Sequence, residues 1–302
     1  MTFPPYLKPG DTIGMVCPSG FMLPEKWQTC YDQLQAWGYT IKLGKTMNSN
    51  SINYFSGTDE ERLADLQQML DDKSVQAILC GRGGYGLSRI IDQLDFRKFK
   101  KHPKWIIGFS DITILHAHIH RNLKIATLHA PMAGAFNDEG YTLPYVQSLR
   151  AALSGKKALY KVQPHHLNQT GMASGQLVGG NLCLVAHLVG TPSAYKTSGK
   201  ILFLEDVGEY LYNLDRLFIQ LKRAGTFKDL AALIIGGFTD NKDTERPFGK
   251  TAYEIISEHT QHYSFPICLD FPVSHAVENY ALKIGASYRL RISKKTVSLE
   301  EA

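Results

Sequence analysis

Four short apolar runs, TIGMVC (residues 12–17), TIKLG (40–44), VQAILC (75–80) and WIIGFS (105–110), punctuate the first third of this 302-residue chain. Parallel strands cannot be joined by tight hairpins and need a crossover, usually helical, so this rhythm restricts the first half to a parallel, helix-covered sheet. The intervening text supplies the crossovers. EKWQTCYDQLQAWG has helical spacing and stops at Gly38. TDEERLADLQQMLDD opens with a capping box, Thr58 at the N-cap and Glu61 three residues on, ahead of apolar Leu63, Leu66 and Leu70. LSRIIDQL follows the loop GRGGYG.

Between 156 and 174 the text turns polar and loses periodicity, which places a domain boundary there: a first domain at 1–155, a linker at 156–174 and a second domain at 175–302. In the second half, GQLVGGN, KILFLED, LAALIIGGF and FPICLDFP read as strands. YLYNLDRLFIQLKRAG reads as a helix with Leu211, Leu214, Leu217, Phe218 and Leu221 on one face. The tail ALKIGASYRLRISKKTVSLEE alternates as antiparallel strands do, so the second domain is expected to be smaller and mixed.

Hydrophobic residues make up 44% of the chain and charged residues 20%, as in a globular protein, and there is no apolar run of about 18 residues. The start, MTFPPYLKPGDTIG, is neither basic nor signal-like, so a cytoplasmic protein with no membrane partner is expected. Five scattered cysteines without CxxC spacing argue for reduced thiols rather than a disulfide framework or a zinc site. The net charge of +5 is dispersed. Its densest cluster, RKFKKHPK, lies between apolar segments without any nucleic-acid motif, so it reads as a solvated loop and no nucleic-acid partner is expected. A mild positive bias still suits an anionic small substrate.

Ligands of open parallel sheets bind beyond the carboxyl ends of the strands, which singles out the loops after VQAILC and WIIGFS. GRGGYG fits GxGxxG, but the acidic residue expected about 20 positions on has no match, so as a dinucleotide fingerprint it is weak. Its glycines are either a tight turn or a means of aiming N–H groups at developing negative charge. Ser110 is either a helix N-cap or a nucleophile on a strand-to-helix turn; of the elbow G-x-S-x-G only Gly108 is present, with Ile112 in the second glycine position. A nucleophilic serine needs a base, and the base an orienting carboxylate. Among eleven histidines, His116, His118 and His120 look like a metal tract, but only His116 and His120 share a face, no HExxH is present, and helix surface is the expected location. His275, in the turn PVSHAVEN after a strand, is the residue placed to reach a site. Glu205 and Asp206 end the apolar strand KILFLED, where a carboxylate is costly unless partnered.

Taken together and in this order, GRGGYG, IIGFSD, FLEDVGE and FPVSHAVEN resemble the LD-carboxypeptidases (murein tetrapeptide carboxypeptidases) over essentially the whole chain. The resemblance implies an α/β protein with an N-terminal Rossmann-like parallel-sheet domain and a smaller C-terminal mixed, barrel-like β domain. It further implies a Ser-Glu-His triad of Ser110, Glu205 and His275, with Ser110 expected both to cap its helix and to attack, since a helix N-terminus favours nearby negative charge. Where family members often read Gly-His, this chain has Ser274 before His275. The implied reaction is release of terminal D-alanine from a muropeptide tetrapeptide, with the backbone N–H groups of Gly84 and Asp111 as oxyanion donors. Arg82, Gly83 and Tyr85 are expected at the substrate, Arg82 being either a carboxylate anchor or one arm of a salt bridge. No metal or organic cofactor is implied, and a homodimer is expected. Similar proteins include immunity peptidases for microcin C-type aminoacyl-nucleotides, which is the second reading. Outside the family, a non-catalytic nucleotide-binding module built on GRGGYG, or a metal hydrolase built on HAHIH, are the alternatives.

Overall fold

The computed structural model describes all 302 residues, Met1–Ala302, as an α/β protein of two compact units. One unit holds Met1–Lys156 and Tyr280–Ile284, the other Lys157–Asn279 and Gly285–Ala302. No helix is long and apolar enough to cross a membrane.

In the first unit the chain runs β1 (Thr12–Val16), α1 (Pro24–Ala36), β2 (Thr40–Leu43), α2 (Asp59–Asp71), β3 (Val75–Cys80), α3 (Leu87–Ile90), α4 (Arg97–Lys101), β4 (Trp105–Gly108), α5 (Thr113–His118), β5 (Thr127–His129) and α6 (Pro144–Leu153). β1 to β5 pair in parallel, in the spatial order β5, β4, β3, β1, β2. Strands buried on both faces read as unbroken apolar runs, which is why TIGMV, VQAILC and WIIG carried so clear a signal. The capping box of α2 is formed as read, with the Thr58 hydroxyl accepting from the Glu61 N–H and the Glu61 carboxylate from the Thr58 N–H. Pro24 starts α1, where its missing N–H costs nothing.

In the second unit the elements are β6 (Leu159–Val162), β7 (Gly171–Asn181), α7 (Leu182–His187), β8 (Ile201–Val207), α8 (Leu211–Arg223), β9 (Ala232–Thr239), α9 (Ala252–Thr260) and β10 (Ile267–Cys268). After a return to the first unit as β11 (Leu282–Ile284), β12 (Ser287–Ile292) and β13 (Val297–Glu301) complete it. The seven-stranded sheet runs β10-β9-β8-β7-β12-β13-β6, parallel from β10 to β7 and antiparallel thereafter. β7 serves both halves: residues 171–176 pair with β12 and residues 177–181 with β8. Just before it, Gln169 exchanges both backbone hydrogen bonds with Ile267 of β10, which curls the sheet toward closure. On α8 Leu214, Phe218 and Leu221 are buried in the core of this unit, with Leu211 and Leu217 half-buried beside them.

Three local readings change. The polar stretch 156–174 holds β6 and the first residues of β7, because their antiparallel pairing leaves one face in water and so asks for little apolar content. FPICLDFP keeps only Ile267–Cys268 as strand, since Pro266 and Pro272 flank it and cannot donate to a ladder. ALKIG, read as part of the tail, pairs antiparallel with β5 and so edges the first sheet, burying Leu282 and Ile284 there.

Candidate active site

The carboxyl ends of β1, β3 and β4 carry the loops that surround Ser110. β4 ends at Gly108, and Ser110 then adopts a left-handed backbone, φ 60°, before a short turn into α5. That conformation is uncommon outside glycine and costs of order 1–3 kcal/mol, so it persists only where surrounding structure enforces it. Two contacts enforce it here. His116, on α5, donates from Nε2 to the Gly108 carbonyl oxygen at 2.9 Å, and the Asp111 carboxylate accepts from the Ser19 hydroxyl at 2.6 Å and from the Leu87 N–H at 2.9 Å. Asp111 is thereby the acceptor at the start of α3 and ties the β1 loop, the glycine loop and the Ser110 turn together.

Ser110 is not an N-cap. Neither the turn at 110–112 nor α5 has a side-chain cap, because the left-handed backbone at Ser110 takes its side chain out of the capping geometry. His116 and His120 are buried rather than on a helix surface. Burial pushes the His116 imidazole down to about 4, so it is neutral, and nowhere do three or more His, Cys, Asp or Glu side chains gather as metal ligands would.

The glycine loop meets Ser110 through Gly83. A Cβ there would lie 2.8 Å from Ser110 Cβ, 3.0 Å from its Oγ and 3.3 Å from the Asp111 nitrogen, so only glycine allows this approach. The loop is held by the Gly20 N–H donating to the Gly83 carbonyl at 3.0 Å. Gly84, with φ 100°, faces the Tyr54 hydroxyl and Gly20 instead. Arg82 is exposed and donates to the Phe21 carbonyl oxygen at 2.6 Å; no carboxylate pairs with it in this unit. Tyr85 is 46% exposed, its ring 5.9 Å from that of Phe55.

In the second unit β8 delivers Glu205 into a fully buried position, where Oε2 accepts from His275 Nδ1 at 2.6 Å. The other oxygen, Oε1, has no hydrogen-bond partner. His275 retains 16% side-chain exposure. Burial pulls its basicity down, but the Glu205 hydrogen bond and the charges of Glu205 and Asp206 outweigh it and hold the imidazole above its ordinary value. The turn bearing His275 is brought this close by a glycine pair in β9: a Cβ on Gly236 would strike the Val273 carbonyl oxygen at 2.1 Å and approach Glu205 Cβ at 3.0 Å, and one on Gly237 would strike Ser274 Cβ at 2.5 Å. Ser274 also shapes the turn, donating from its hydroxyl to the Glu278 carbonyl and accepting from the Ala276 N–H. Asp206 accepts from Asn181 Nδ2 at 2.7 Å and the Val207 N–H at 2.9 Å through one oxygen, and from the Cys183 N–H at 3.0 Å through the other. Burial first, then the adjacent Glu205 charge, pushes its carboxyl up to about 7 against those three donors.

The sequence reading assigns nothing to Ser19, Asn181, Gly236 or Gly237, and to the Asp111 carboxylate only a place in the first turn, where it complements the helix dipole. The signal for the glycine pair was there: GG inside the strand run LIIGGF marks a close backbone approach.

A helix N-terminal turn that constrains a serine, and a buried carboxylate that orients a histidine, are the parts of a serine hydrolase. Comparison with known proteins gives the same class. Residues 13–130 match the LD-carboxypeptidase N-terminal domain and residues 174–290 the LD-carboxypeptidase C-terminal domain. The "Probable murein peptide carboxypeptidase" of Bacillus subtilis is 34% identical over 98% of this chain and 94% of its own length. The murein tetrapeptide carboxypeptidase of Pseudomonas aeruginosa is 29% identical over 90% and 91%. The crystal structure of muramoyltetrapeptide carboxypeptidase from Oxalobacter formigenes superposes with a TM-score of 0.87, at 25% identity over 96% of this chain and 98% of that one. The microcin C7 self immunity protein MccF in complex with aspartyl sulfamoyl adenosine shares the fold, with a TM-score of 0.84 at 24% identity over 98% of each chain. The chain belongs to the LD-carboxypeptidase family.

Proposed function

We propose that this protein is a serine carboxypeptidase that hydrolyses the L,D-peptide bond of muramoyl tetrapeptides and releases the terminal D-alanine, with Ser110, Glu205 and His275 as its triad. The observation that carries the reading is the left-handed backbone of Ser110, held against Gly83 and the N-terminal turn ahead of α5. Strain of this kind at a serine between strand and helix is what presents a hydroxyl at the top of a sheet.

The chemistry proceeds by acyl transfer. His275 donates a hydrogen bond from its Nδ1–H to the Glu205 carboxylate, which leaves Nε2 as the nitrogen that accepts a proton. As Ser110 Oγ attacks the carbonyl carbon, Nε2 takes the hydroxyl proton, and the buried Glu205 carboxylate stabilises the imidazolium that forms. The tetrahedral oxyanion is held by backbone N–H groups, for which Asp111 and Gly84 are our candidates; one such donor is typically worth about 2.7–4 kcal/mol. Collapse expels D-alanine with the proton returned from His275, and water, deprotonated by the same nitrogen, releases the tripeptide from Ser110. Arg82, whose only partner in its unit is a carbonyl oxygen, is suited to pair with a substrate carboxylate beside Gly83 and Tyr85. The reading carries with it a cytoplasmic homodimer serving peptidoglycan recycling.

The test is incubation of the purified protein with a muramoyl tetrapeptide ending in D-alanine and with its all-L counterpart, alanine release being followed by mass spectrometry. Release from the first and not the second is expected. Equal release from both, or from neither while an aminoacyl-nucleotide is cleaved, overturns the reading, the latter in favour of an immunity peptidase.

A further inference from the structure

The first unit has a concavity that the triad does not use, a cavity of about 800 Å³ between the segment following β2 and the outward face of α2. Its α2 wall is the stripe Glu60, Ala64 and Gln68, residues four apart and therefore on one face. Ala64 provides the room, since it is the small residue at the centre of that stripe. The opposite wall comes from residues 45–58 and is made rigid by Asp65, which accepts from the Lys45 and Thr46 N–H groups and the Thr46 hydroxyl. The side-chain amides of Asn50, Asn53 and Gln68 line the cavity without hydrogen-bond partners in the protein.

The cavity lies at the carboxyl end of β2, on the same edge of the sheet as Ser110. The order β4, β3, β1, β2 puts the ends of β4 and β2 three strand spacings apart, about 14 Å. Between them runs the segment that carries Tyr54 and Phe55: Phe55 both lines the cavity and lies 5.9 Å from the Tyr85 ring, while the Tyr54 hydroxyl lies against Gly84. Cavity and glycine loop are thus two ends of one surface.

We propose that this cavity is a subsite for a neutral polyhydroxylated group, the amino sugar at the far end of the substrate. This deepens the function proposed above and rests on it. A carboxypeptidase acting on a muramoyltetrapeptide, the substrate in the name of the Oxalobacter relative, leaves three residues between the scissile carbonyl and the muramoyl group. Extended, these span about 10–11 Å, and the acid arm of the muramoyl group adds a few more, which matches the strand-end separation. The lining has the matching chemistry. Three amides and the hydroxyls of Ser49, Ser51 and Thr58 both donate and accept, as ring hydroxyls and an acetamido group require. The lining carries three carboxylates, Glu60, Glu61 and Asp65, against one cation, Lys45, a balance that disfavours phosphate and so argues against a nucleotide in this place.

The experiment compares disaccharide-linked and sugar-free tetrapeptides on the wild type and on Ala64→Trp, which fills the cavity, with Gln68→Ala as the milder second variant. The wild type is expected to show a KM about tenfold lower for the sugar-bearing substrate, and each variant to reduce that preference while kcat and KM on the sugar-free peptide stay within about twofold. Equal KM values for the two substrates on the wild type, or a loss in the variants that is the same for both, overturn the subsite. Binding of the peptide-free disaccharide N-acetylglucosaminyl-N-acetylmuramic acid with its lactyl carboxyl capped as the neutral methylamide, followed by saturation-transfer NMR, separates the two proposals. Binding that Ala64→Trp abolishes supports the subsite even if no tetrapeptide is cleaved, in which case the peptidase reading alone fails; absence of binding to the wild type refutes the subsite whatever the activity.

Discussion

Replacing Glu205 with glutamine keeps the shape of the side chain and removes its charge, so it isolates what the buried carboxylate does for His275. Two losses follow from the geometry. The 2.6 Å bond from Nδ1 to Oε2 has a charged acceptor, and it becomes an ion pair as soon as the imidazole is protonated. Bonds of that kind contribute about 1.5–3 kcal/mol, which at 1.36 kcal/mol per decade is roughly ten- to two-hundredfold in kcat. Glutamine can also turn its amide to donate to Nδ1, fixing the proton on Nε2 where the serine proton must go; the comparable exchange in a serine protease triad costs about 10⁴. The expected fall in kcat is therefore between about 10 and 10⁴. The pH profile gives an independent sign. In the wild type His275 is held above its ordinary 6.5, burial lowering it and Glu205 more than restoring it. Without that charge burial prevails, the imidazole titrates lower, and the acid limb of kcat/KM moves to lower pH. Stability moves in step. A histidine raised in the fold stabilises the native state fully below pH 6.5 and loses that contribution as pH rises through its folded value, so the stability gap between wild type and Glu205→Gln should be widest in acid and narrow toward alkaline pH. Urea titrations at several pH values, beside kcat/KM profiles on the tetrapeptide, read both. A fall in kcat below tenfold, or an acid limb that moves upward, refutes the reasoning.

The remaining expectations concern the neighbours of the proposed triad residues and the proposed mechanism. Gly83→Ala should fold with a loss of about 1–3 kcal/mol from overpacking and lose at least about a hundredfold in kcat, because the new methyl must displace Ser110 or the Asp111 nitrogen; melting temperature and turnover together check this, and full activity would contradict it. Asp206→Asn should be destabilising at low pH through the acceptor it removes from Asn181 or Cys183. Since the wild-type carboxyl is raised to about 7, wild-type stability falls between pH 3.8 and 7 as the unfolded state alone ionises, so the penalty of the variant should shrink across that window and stay flat above it; a penalty that grows with pH would contradict the assignment. Every step proposed uses the chain's own groups, so activity should be unchanged after prolonged treatment with a chelator, and loss that zinc restores would contradict the mechanism.

The parts of this fold that were legible in the sequence are those where one physical requirement dominates. Fully buried parallel strands must be apolar throughout and must be followed by crossovers, so β1, β3 and β4 and their helices could be read directly. Glu205 was visible as a carboxylate that no apolar strand would carry without a partner, and His275 as a histidine in a turn after a strand. What stayed hidden depends on backbone conformation and contacts that no periodicity or composition encodes. HAHIH looks like an exposed polar tract, yet His116 is buried because the carbonyl of Gly108, eight residues earlier, needs a donor. ALKIG looks like its antiparallel neighbours, but its partner is β5, more than 150 residues away. The cap expected of Ser110 failed for a local reason that composition does not encode, a backbone inversion imposed by the loops around it. The cavity beside α2 left no trace of periodicity, since its wall is a loop of small polar residues.

The most direct measurement of the central claim is the rate at which Ser110→Ala, purified and confirmed folded by circular dichroism, releases D-alanine from a muramoyl tetrapeptide. A nucleophilic Ser110 predicts a rate at least about 10³ below wild type with substrate binding retained. Turnover within tenfold of wild type would mean that the serine held in its left-handed turn is not the atom that attacks.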